Sequence, residues 1–195
     1  TSVVKLIGRN PQAVVQGGYP LGYLAVASSI GITRGFQLGM DESVSGGMVA
    51  RMLYKVFDVE IYKAIGYREN DVSWGASKED TFVKHYFGLD KISGIVFANE
   101  ITSLTSHNKG VRAGELLIDM VTIKAAFDTF DYLGKEVNAY YDNETKEAVF
   151  IAERENRNNQ ITINATSVIS ADTSMLKAEQ DGKVYTVNIS QRCYV

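Results

Sequence analysis

A change of hydrophobic period part-way along the chain constrains its fold more than any other sequence feature. From Ser2 to Tyr67 apolar residues recur at helical spacing, whereas from Lys91 onward they alternate with polar ones, as in strands with one wet face. A helix returns to one face about every 3.6 residues and a strand every second residue, so the two patterns build different layers. The expected fold class is α+β, with a helical part over residues 1–70, a polar linker and short helix over 71–90, and an all-β module over 91–195.

In the helical part, Pro20 can open a helix at its first turn. Tyr23, Leu24, Val26, Ala27 and Ile30 supply its apolar residues, and Gly31 closes it. Ser45 is an N-cap candidate for a second helix carrying Met48, Val49, Met52, Leu53, Val56 and Phe57. The polar run "RENDVSWGASKED" reads as a linker, and "KEDTFVKHYFGL" as the short helix after it. Strand candidates follow: "KISGIVFANEITSL", "GELLIDMVTIKA", "LGKEVNAYY", "KEAVFIAERE", "NQITINATSVIS" and "GKVYTVNIS", separated by turn signals such as "DNET" and "QDGK". Short strands in succession without intervening helices predict a small antiparallel barrel or sandwich. The stretch from Gln160 to Ser170 has neither Lys nor Pro, the usual means of blunting a sheet edge, and is a candidate for pairing with another chain.

Charge and rare residues exclude several function classes. A formal net charge of −3 over 195 residues, with no basic block, leaves no electrostatic footprint for nucleic acid. No apolar run approaches the roughly 18 to 20 residues of a membrane-spanning helix, so no membrane span is expected. Because the chain begins at Thr1, it reads as a piece of a longer protein. His85 and His107 are the only histidines and Cys193 the only cysteine, which rules out a Cys/His zinc site and an intrachain disulfide. Gly17-Gly18 and Gly46-Gly47 lack the Lys-Ser/Thr of a phosphate loop. Asp119, Asp128, Asp131, Asp142, Glu144 and Glu147 cluster in sequence but read as turn and hairpin-tip residues rather than a catalytic acid pair or a calcium loop. No cofactor is expected. Tyr132, Tyr140 and Tyr141 gather around one strand candidate and are candidates for stacking on sugar rings.

The stretch "GGYPLGYLAVASSIGITRGFQLGMDESVSGGMVARMLYKVFDV" resembles the S-layer homology repeat of Gram-positive surface proteins. Gly31-Ile32-Thr33-Arg34-Gly35 matches the loop of that repeat, and Val49-Ala50-Arg51-Met52-Leu53 its second helix. The resemblance covers about the first third of the chain. It implies a helical repeat that shares its core with sister repeats or neighbouring subunits, a secreted location at the cell surface or wall, and cell-wall polysaccharide as a partner. Where the repeat carries Thr-Arg-Ala or Thr-Arg-Gly, this chain has Ser45-Gly46-Gly47, so the glycan-binding arginine is absent. Arg34 and Arg51 are its candidate substitutes. The expected function is a non-catalytic surface assembly module; the alternatives are a cell-wall carbohydrate-binding module and an accessory fragment of a larger secreted enzyme.

Overall fold

The computed structural model describes residues 1–36, 43–69, 71–104, 111–158 and 161–189. The chain is α+β and divides into two compact units, Thr1–Asp90 and Lys91–Val195.

The first unit opens with α1 (Ser2–Leu6), α2 (Asn10–Val15), α3 (Leu21–Ser29) and α4 (Gly46–Val56). Pro11 sits in the first turn of α2, where its missing N–H costs nothing. Gly31 terminates α3 with a left-handed φ of 79°, and the following N–H, that of Ile32, returns to the Ala27 carbonyl. Ser45 caps α4 through its side-chain oxygen, which accepts from the Met48 N–H at 3.3 Å. Gly22 has no alternative: a Cβ there would lie 2.0 Å from the Ala13 carbonyl oxygen, so α2 and α3 touch backbone to backbone. The core gathers Val4, Ile7, Ala13, Tyr23, Val26, Ile32, Val56, Ile61 and Phe82.

Helical spacing does not run on to Tyr67, and residues 71–81 are not a linker. Instead β1 (Glu60–Arg68) and β2 (Asp71–Thr81) pair antiparallel as a long hairpin, followed by α5 (Phe82–Phe87). Ile61, Tyr62, Ile65 and Tyr67 are strand-favouring residues whose order is uninformative because both faces of the distal hairpin are wet. Such a ribbon is marginal alone. Its base is anchored by backbone bonds from Tyr62 N–H to the Ile7 carbonyl, Phe82 N–H to Val59 and Val83 N–H to Phe57.

In the second unit, β3 (Leu89–Ala98, which begins at the unit boundary), β4 (Glu115–Ile118), β5 (Val121–Ala125), β6 (Glu136–Asp142) and β7 (Glu147–Glu153) close in the order β3-β4-β5-β7-β6. The pairing is not wholly antiparallel, since β5 runs parallel to β7. Reciprocal bonds of Val96 with Gly134 and Lys135 tie β3 to the chain entering β6. Val96, Leu116, Ile118, Ile123, Val137, Ala139 and Ile151 fill the interior.

The remaining strands, β8 (Val168–Ala171), β9 (Met175–Gln180) and β10 (Lys183–Asn188), form a separate sheet in the order β10-β9-β8. Of the candidate "NQITINATSVIS" only the end is strand; residues 161–164 are irregular and Ala165–Ser167 a 3-10 turn. Asp181 and Gly182, both at positive φ, make the tight turn of the β9–β10 hairpin.

Candidate functional site

Of the sequence-selected glycan candidates, the two arginines lie in the first unit and the three tyrosines in the second. Tyr140 and Tyr141 are buried, with Tyr141 inside the barrel. Tyr140 lies against the Phe150 ring at 6.1 Å between centroids, and the Lys91 ammonium stands 5.7 Å from its own. Tyr132 is half-buried and donates its hydroxyl to the Ile151 carbonyl at 3.3 Å. These rings serve packing, and Tyr140 and Tyr141 have no open face for a sugar. Arg34, in the turn after α3, and Arg51, on α4, are both exposed. The Arg34 backbone carbonyl receives the Lys55 ammonium, which also stands 4.9 Å from the centre of the Phe36 ring.

The clustered carboxylates that the structure accounts for are turn builders. Asp119 accepts from the Ile95 N–H at 3.0 Å, and Asp128 from the Phe130 N–H at 3.0 Å. Asp142 takes the N–H groups of Thr145 and Glu144, which hold its carboxyl below the ordinary value. Among the described residues no group of three or more His, Cys, Asp or Glu is placed to hold a metal ion. His107 and Cys193 lie outside the described residues. His85 contacts Asp80 at 3.1 Å, and Asp80 also takes the Lys63 ammonium at 2.7 Å. The Lys63 hydrogen bond is the main reason the Asp80 carboxyl is depressed, with His85 adding to it.

Two other features stand out. One is a groove of about 300 Å³ in the first unit, lined by Pro11, Gln12, Val15, Gln16, Tyr62 and Trp74. It is assembled by a close approach at Gly8. That residue has φ of 77°, and a Cβ on it would meet the Tyr62 carbonyl oxygen at 1.9 Å, so only glycine lets the α1–α2 turn lie on β1. The contact sets the Arg9 guanidinium over the Tyr62 ring, 5.2 Å from its centre, and Arg9 also donates to Gln12 Oε1 at 2.9 Å. The Tyr62 and Trp74 rings are near-parallel, 13° apart with centroids 6.2 Å distant, and Trp74 is 41% exposed. Reading residues 71–81 as linker conceals this groove. The sequence signal for it was the chain's only tryptophan within a polar run.

The other feature is the three-stranded sheet. Its outer strands β8 and β10 each have a neighbour on one side only among the described residues. Cross-strand register sets Val168, Ala178 and Tyr185 in one row, and only Ala178 is buried.

No family model matches the chain, no curated protein matches it and no solved structure matches it.

Proposed function

We propose that this chain is a non-catalytic, cell-surface assembly module of the S-layer kind, in which copies join by strand addition. The observation that carries the reading is the β10-β9-β8 sheet, whose two different outer strands each have a neighbour on one side only among the described residues. Unpaired N–H and C=O groups along an edge are a template for another strand. Because the edges differ, adding β10 of one copy to β8 of the next is a heterologous contact, and such contacts propagate into arrays rather than stopping at a dimer. Exposed Ile169 lies on β8, which carries no charged residue, and exposed Val184 lies on β10 beside its one charged residue, Lys183. The five-stranded barrel belongs to the same compact unit as the sheet. The resemblance of the first third to an S-layer homology repeat supports the same reading, with neighbouring subunits as partners and the cell wall as the location.

The test is light scattering on the purified chain from micromolar to millimolar concentration. Mass should grow with concentration in the wild type and stay at the monomer value in Ile169→Lys and Val184→Lys, each placing a charge on one edge. A wild type that is monomeric throughout overturns the proposal.

A further inference from the structure

We infer that the groove between α2 and the β1–β2 hairpin is a binding site for a short, uncharged saccharide. Sugar rings present an apolar C–H face and an equatorial rim of hydroxyls, each both donor and acceptor. The groove offers the matching chemistry. Tyr62 and Trp74 supply near-parallel aromatic surface, Pro11 and Val15 extend it, and Gln12 and Gln16 bring carboxamides that donate and accept. No carboxylate or cation is among the lining residues, which favours an uncharged ligand over an acidic one.

One polar group is already oriented. Arg9 donates to Gln12 Oε1, so the Gln12 amide presents its NH2 as the end open to a ligand. Arg9 is itself held by the Tyr62 ring, and its buried Nε has no acceptor among the described residues. Through its Nη1 bond the guanidinium acts as a positioning group for the Gln12 amide. The Tyr62 backbone is tied by its N–H bond to the Ile7 carbonyl at 2.9 Å, and its ring is packed against Arg9 and Trp74. A groove whose ring and amide are both set before binding loses little entropy when a ligand arrives. At about 300 Å³ it lies at the small end of ligand sites, suited to a short saccharide seated on an open surface.

Trp74 is the only tryptophan, so its fluorescence reports on this groove alone. Titration of the full chain with the tetrasaccharides of β-1,4-N-acetylglucosamine, β-1,4-glucose and α-1,4-glucose should give a saturable emission change with at least one of them. By calorimetry with that saccharide, Gln12→Ala should bind about fivefold more weakly and Trp74→Leu at least about tenfold. Tyr67→Ala, exposed on the same hairpin but not lining the groove, should bind as the wild type does. Repeating the titration in Ile169→Lys, which leaves the groove intact, separates binding from assembly. No saturable change with any of the three overturns the inference. So does a change with a proline decamer alone, or one produced only by concentrating the protein, which would give the groove to a peptide or to a second copy. Retained affinity in both Gln12→Ala and Trp74→Leu, each checked for native circular dichroism, overturns it as well.

Discussion

β5 of the barrel and β8 of the three-stranded sheet are of similar composition, yet one buries apolar side chains and the other does not. β5, "VTIKA", and β8, "VISA", are both short and β-branched. Ile123 of β5 is fully buried, while every residue of β8 is exposed. The difference lies in closure. Five strands that return on themselves enclose one face completely and leave no edge, whereas three strands in a row have, among the described residues, two outer strands with a neighbour on one side only. Strand composition therefore does not tell an enclosed strand from an exposed one; the neighbours do.

The strongest way to break that comparison is to truncate one side chain in each sheet. Leu116→Ala should cost about 2 to 5 kcal/mol, because Leu116 is wholly enclosed and the barrel cannot collapse around the gap. Ile169→Ala, on the exposed β8, should change stability by no more than about 0.5 kcal/mol in the monomer. Urea unfolding of the two variants in dilute solution checks both. Equal losses would mean that the open sheet is as well packed as the barrel.

A smaller effect separates the glycines. A Cβ on Gly94 would meet the Asp119 carboxylate at 2.2 Å, the group that accepts from the Ile95 N–H. Gly94→Ala should cost about 1 kcal/mol, the worth of that hydrogen bond, because the carboxylate must swing away. Gly182, in the β9–β10 turn, has open space around it but φ of 70°. Gly182→Ala should cost about 1 to 2 kcal/mol through backbone strain alone. A double-mutant cycle with Asp119→Ala tells the causes apart: the Gly94 effect should vanish in that background, and the Gly182 effect should not.

The smallest expected effect concerns acid. Asp142 in the β6–β7 turn and Asp172 in the β8–β9 turn have carboxyls held below the ordinary value of 3.8. For Asp142 the main causes are the Thr145 and Glu144 N–H groups; for Asp172 they are the Ser174 hydroxyl, then the Ser174 and Met175 N–H groups. A depressed folded pKa contributes stability that is complete above the ordinary value and is lost as pH falls through the lower, folded one. Amide exchange at Ser174 and Met175 should therefore accelerate below the ordinary carboxylate range, more than at Glu144 and Thr145, which the closed barrel also restrains. Asp172→Ala should remove the acid dependence at Ser174 and Met175 while leaving the barrel turn unchanged.

Much of the local structure was legible. Ser45, Pro20 with Gly31, the "DGK" turn and strand territory from Lys91 to Glu153 follow from capping, turn chemistry and alternation, but "GELLIDMVTIKA", expected as one strand, is the β4–β5 hairpin, and β3 ends at Ala98 rather than running on to Leu104. The β1–β2 hairpin was not legible, because a ribbon wet on both faces has no hydrophobic period to display. β9, "MLKAEQ", was missed because strong helix formers occupy a strand between two stronger ones. Tyr140 and Tyr141 read as an aromatic cluster, and nothing in their spacing says that both are buried.

By itself, then, the sequence determined the α+β class, the caps and turns, and the absence of residue types that a Cys/His metal site requires. Only the tertiary structure decided that the strands after Lys91 divide into a closed barrel and an open sheet, and that Gly8 lays Arg9 and Gln12 beside Tyr62 and Trp74. The reason is range: capping and turns are set by contacts a few residues apart, whereas closure joins Val96 to Gly134 and Lys135 and the groove joins Pro11 and Gln12 to Tyr62 and Trp74, and such pairings leave no periodic trace in the chain.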